Sequence, residues 1–92
     1  MTNLPVKVHF VEEELIAAIS FIKQNNPAAV YQNWSEAYIR NSIMNSIRSM
    51  TEDTTYIGTM GYIIMNEDNY ESDGYKNICI SIYVNPNISY DS

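Results

Sequence analysis

Ile78-Cys79-Ile80-Ser81-Ile82-Tyr83-Val84 alternates without a break between branched apolar residues and smaller or amphipathic ones. Successive side chains of an extended chain point to opposite faces, so Ile78, Ile80, Ile82 and Val84 form the apolar face of a strand. Pro86, with no N–H to give a ladder, ends it. Upstream, Asp73-Gly74 suits the positive φ angles of a type I′ turn and joins this strand to an earlier one. Counting back from that turn, Glu71 faces Lys76, Ile64 faces Tyr83 and Met65 faces Ile82, which pairs opposite charges and apolar groups. In the earlier strand Thr55, Ile57, Ile63 and Met65 share one face, with Tyr56, Met60, Tyr62 and Ile64 on the other. Gly58 and Gly61 mark a bulge or bend within it.

Before Thr51-Glu52-Asp53, a polar connection, the period is that of helices. Ile39, Ile43, Ile47 and Met50 form one stripe, and Asn33 with Glu36 has the spacing of a reciprocal N-cap. Asn25-Asn26-Pro27 stops an earlier helix, because the residue before proline is pushed out of the α region. A short irregular or helical turn then runs from Ala28 to Tyr31. The earlier helix sets Val11, Leu15, Ala18, Ile19 and Ile22 on one side and Glu12, Glu13 and Glu14 in its first turn, where carboxylates suit the helix dipole. Val6, Val8 and Phe10 alternate with Lys7 and His9 as an opening strand. The reading is one α+β domain over residues 1–92, in β-α-α-β-β order. An antiparallel sheet carries two helices on one face, and residues 85–92 form a polar tail.

At 92 residues with 46% hydrophobic and 17% charged, the composition is that of a folded domain rather than a disordered chain. Such a length predicts a radius of gyration of about 12 Å. No apolar run reaches the ~18 residues of a membrane span, and no basic segment precedes an apolar one at the start. The expectation is a soluble, unexported protein. One cysteine and one histidine provide no disulfide framework and too few soft ligands for structural zinc. The loop Asn69-Tyr70-Glu71-Ser72-Asp73-Gly74 places oxygen ligands in a calcium-loop register, yet Ile80 stands where a bidentate glutamate is required. Neither metal nor cofactor is expected. His9 reads as a surface or edge-packed side chain, and Cys79 as a packed thiol with no adjacent base to lower its pKa. No enzyme is expected.

Opposite its apolar stripe, the second helix carries Trp34, Tyr38, Asn41, Asn45 and Arg48 at spacings that build a continuous second face. Arg40 and Arg48 make this segment locally basic in a chain of net charge −6. Either these groups pack as a second layer of core, or they form a binding face rich in anchor residue types. Tyr70, Tyr75 and Lys76 at the hairpin tip are further candidates for partner binding.

Leu4-Pro5-Val6-Lys7-Val8-His9-Phe10-Val11-Glu12, Ile22-Lys23-Gln24-Asn25-Asn26-Pro27, and Tyr31-Gln32-Asn33-Trp34-Ser35-Glu36-Ala37-Tyr38-Ile39-Arg40-Asn41 resemble a phage-encoded anti-CRISPR protein acting on the type I-F (Csy, or Cascade) surveillance complex. The second half matches in length, order and composition. The resemblance implies a stoichiometric inhibitor in the cytoplasm of an infected bacterial host. Its partners would be the Cas7 backbone, with Cas8 or Cas5, and target DNA would be blocked from hybridising with the guide. Guide RNA is itself a candidate contact, since arginine and aromatic groups stack on unpaired bases. The alternative is a small phage or bacterial accessory protein that binds another protein, or itself as a homodimer through a sheet edge.

Overall fold

The computed structural model describes residues 4–50 and 55–85. The polar connection Thr51-Glu52-Asp53 and nearly all of the expected tail, residues 86–92, lie outside the described residues. Strand β1 (Val6–His9) is followed by helices α1 (Glu12–Asn25), α2 (Pro27–Tyr31) and α3 (Glu36–Arg48). Strands β2 (Thr55–Gly58), β3 (Tyr62–Ser72) and β4 (Tyr75–Val84) complete the order. The class is α+β, and the helices pack on one face of the sheet.

Three features depart from the expected sheet. It has four strands in the order β1-β4-β3-β2, and β1 runs parallel to β4, so the sheet is mixed rather than antiparallel. The direction of β1 sets where α1 begins. Pairing of β1 stops at His9 opposite Cys79. Farther along β4, the Glu14 carboxylate takes over the edge by accepting the Ile82 N–H at 3.1 Å. The second departure is the split of one expected strand into β2 and β3 around a turn closed by Gly61 N–H to Gly58 C=O, with Gly61 at φ 109. Gly58 is needed for closeness, since a Cβ there would collide with the ring of Tyr62.

Asp73 and Gly74, at φ 55 and 79, make the expected turn, and Glu71 pairs with Lys76. Beyond it the register changes, because a bulge at Glu67 interrupts the ladder between Asn66 and Asp68. Ile64 therefore pairs with Ile82 and Met65 with Ser81, in place of Tyr83 and Ile82. A one-residue slip exchanges the two faces of a strand. The bulge thus turns Tyr62 and Ile64 toward the helices and leaves Ile63 and Met65 on the uncovered side. The core joins Leu15, Ala18, Ile19 and Ile22 of α1, Ile39, Ile43 and Ile47 of α3, and Ile78, Ile80 and Ile82 of β4. With β3 and β4 at 11 and 10 residues, the molecule is elongated, 49 × 23 × 22 Å, and its radius of gyration is 14.5 Å rather than about 12 Å.

Tyr62 also ties the sheet to α3, its hydroxyl lying 2.6 Å from Ser46 Oγ. Burial pushes its pKa up to about 12, the Ser46 hydrogen bond opposes that rise, and nearby Tyr56 adds to it. An unfolded tyrosine titrates near 10. The neutral phenol is therefore favoured by folding: its contribution is intact below about pH 10 and is lost as pH rises through about 12. Urea midpoints measured from pH 8 upward should fall over that window, and Tyr62→Phe should lack that part of the fall.

Candidate protein interface

The outer face of α3 is positioned by two polar stops that precede it. Asn33, expected as the N-cap, instead ends α2 in the left-handed region at φ 53. Its N–H reaches Val30 C=O at 3.3 Å and the Trp34 N–H reaches Ala29 C=O at 3.0 Å, the paired closure of a Schellman motif. Ser35 is the actual cap, its Oγ accepting the Tyr38 N–H at 3.1 Å, and Glu36 is the first helical residue. Trp34 is held between them, with its carbonyl accepting from Lys23 Nζ at 2.7 Å.

From there the expected face divides. Trp34 packs partly against the core, and its ring lies 5.2 Å from that of Tyr38. Tyr38 is 51% exposed, and Asn41, Asn45 and Arg48 are exposed with it. Arg48 donates to Asn45 Oδ1 at 3.3 Å along the same face. Of the two alternatives, a second core layer describes only Trp34. Arg40 points elsewhere: it pairs with Glu12 of α1 at 2.6 Å beside a groove lined by Ile16, Ile19 and Ala37. The hydrogen bond to Glu12 raises the guanidinium pKa further above its ordinary value.

The hairpin candidates do not join this face. Tyr70 pairs with Asn77, and Tyr75 shares its strand face. That face is opposite Ile78, Ile80 and Ile82, so both tyrosines lie on the side of the sheet away from the helices. Lys76, two residues from Ile78, lies on the helix side between Val6 and Glu71. Of the nine candidates, Tyr38, Asn41, Asn45 and Arg48 share the outer face of α3, Tyr70 and Tyr75 lie on the opposite side of the sheet, and Trp34, Arg40 and Lys76 join neither group.

The uncovered sheet face holds groups that the sequence reading did not select. Near the tip, His9 Nε2 and Asn77 Oδ1 are 2.7 Å apart and the His9 ring stacks on Tyr70, so His9 is packed within the sheet face. Lys7 Nζ sits 5.3 Å from the centre of the Tyr75 ring. Toward the base are Ile57 (59% exposed), Met65 and Tyr83. The signal for them was the shared face of Ile57, Ile63 and Met65, but its direction depends on the bulge. Tyr31, 90% exposed at the end of α2, was also passed over. Among the described residues no group of three or more His, Cys, Asp or Glu could hold a metal ion, and no helix is long and apolar enough to cross a membrane.

No family model matches the chain, and neither a curated protein nor a solved structure matches it.

Proposed function

We propose that this protein is an anti-CRISPR inhibitor that binds the type I-F surveillance complex stoichiometrically, in the cytoplasm of an infected bacterial host, and blocks target DNA from pairing with the guide RNA. The observation that carries the reading is the solvent-facing row of Tyr38, Asn41, Asn45 and Arg48 on a helix whose opposite side is locked into the core by Ile39, Ile43 and Ile47. A rigid helix presenting an aromatic and an arginine loses little entropy on docking, and these are the residue types that dominate binding energy. The resemblance of residues 31–41 to such inhibitors covers Tyr38 and Asn41, the first half of this row. A net charge of −6 favours encounter with a basic nucleic-acid groove. The Cas7 backbone, with Cas8 or Cas5, would then be covered where the target strand enters. The mechanism is occupancy, with no bond made or broken.

A second reading has its own support. Ile57, Met65 and Tyr83 leave an apolar patch on the uncovered sheet face, which suits an accessory protein that binds a different protein partner. A gel-shift competition with purified type I-F complex and labelled target duplex separates the two. Loss of DNA binding only when the protein is added first is the expected result. Normal DNA binding with no co-migration of the protein would overturn the inhibitor reading and favour the accessory one.

A further inference from the structure

The edge of the sheet formed by β1 combines an open ladder with a side-chain groove. Lys76 N–H donates to Pro5 C=O at 2.9 Å. In a parallel pair alternate residues bond to the neighbouring strand, so Pro5, Lys7 and His9 direct their backbone groups at β4 while Val6 and Val8 direct theirs outward. Among the described residues no strand lies beyond β1. Beside this edge, on the helix side, is a groove of about 290 Å³ lined by Val6, Val8 and Phe10 of β1 and Met44, Ile47 and Arg48 of α3. Strand and helix thus flank a slot in which an added strand finds backbone partners and apolar pockets together.

Charge selects the occupant. On the other face of β1 the exposed position is Lys7, whose Nζ lies 5.3 Å from the centre of the Tyr75 ring and faces solvent beside the open edge. A strand laid here sends alternate side chains to the two faces, so apolar groups enter the groove and the intervening ones meet Lys7. A second copy fits poorly, because antiparallel pairing of two β1 edges sets Lys7 directly against the same lysine of the other copy. The other edge, β2, reads Thr55-Tyr56-Ile57-Gly58 and has no cation on either face.

We propose that β1 is a docking edge for an extended segment of a partner protein in which apolar and acidic residues alternate, the apolar side chains filling the groove between β1 and α3 and the carboxylates meeting Lys7 on the other face. This inference does not rest on the inhibitor reading, and its groove shares only Arg48 with the row at Tyr38.

The probe is a fluorescein-labelled, acetylated octapeptide alternating valine and glutamate, added to the full chain. Controls are the same residues in two blocks and a valine–lysine alternation. Anisotropy reports binding and amide hydrogen exchange reports its place. The alternating acidic peptide should bind and protect the Val6 and Val8 amides, leaving Thr55–Gly58 unchanged. Val8→Pro removes an outward N–H without breaking the β1–β4 ladder and should abolish binding. Should Val8→Pro lose its native circular dichroism, Lys7→Glu carries the test, with binding about tenfold weaker from one lost attraction and one new repulsion. No binding at millimolar peptide, equal binding of the block peptide, or protection at β2 would overturn the proposal. Val6 and Val8 protection that grows with protein concentration in the absence of peptide would overturn it in favour of a second copy.

Discussion

Asn26→Ala should lower the unfolding free energy by about 2–4 kcal/mol, a large share of the roughly 5–15 kcal/mol typical of a domain. One side chain here does three things at a site only 4% exposed. Its Oδ1 accepts from the Ala28 and Ala29 N–H groups at 2.9 and 3.3 Å, capping α2. Its Nδ2 donates to Met60 C=O at 3.2 Å, tying the helix junction to the turn between β2 and β3. Losing the cap costs about 1 kcal/mol, and stranding a partly buried carbonyl adds about 1–3 kcal/mol. Thermal midpoints should drop by about 8–32 °C, given 4–8 °C per kcal/mol for a domain of this size. Asn26→Ser keeps a capping oxygen but is too short to reach Met60, so it should recover about 1 kcal/mol of the loss. An alanine variant within about 0.5 kcal/mol of the parent, the range of an ordinary surface change, would show that neither bond matters.

That junction also shows what could be read from sequence. Asn25-Asn26-Pro27 announces a helix end from proline sterics alone. The tie to Met60, however, joins positions 34 apart and has no local signal. The sheet divides in the same way. Ile78, Ile80 and Ile82 are legible because alternation is a property of consecutive residues. The facing of β3 is not, since Ile63-Ile64 offers an apolar side chain to either face and the choice is made by the bulge at Glu67, among polar residues with no distinguishing spacing. The parallel course of β1 brings the start of α1 along β4, where Glu14 meets Ile82, again a long-range bond.

The candidate site follows that pattern. The row at Tyr38, Asn41, Asn45 and Arg48 follows from 3.6-residue periodicity, and only its separation from Trp34 needed the fold. That Tyr70 and Tyr75 lie on the opposite side of the molecule from that row has no local sign in the sequence. Which side of a sheet a tyrosine occupies is fixed by pairing parity, and which side the helices choose is fixed by the core. Arg40 is on the same helix, but its angular position and Glu12 draw it toward α1.

Tyr38→Ala combined with Arg48→Ala should weaken association with the type I-F complex by about 10²–10³-fold, since anchor residues each cost about 2 kcal/mol or more when truncated. Both side chains are exposed, so the fold should survive with little change in stability. Arg40 is left in place, because removing it would break its pair with Glu12 and confound binding with folding. The companion variant is Ile57→Ser with Met65→Ser, equally exposed on the opposite side of the sheet. A partner seated on the α3 face cannot also cover that side without wrapping the molecule, so this variant should bind as the parent does. Binding constants for the parent and both variants, measured on the assembled guide-RNA complex, therefore choose between two surfaces. Loss confined to the sheet-face variant would reject the helix as the contact while leaving stoichiometric inhibition standing; loss in neither would place the contact outside both.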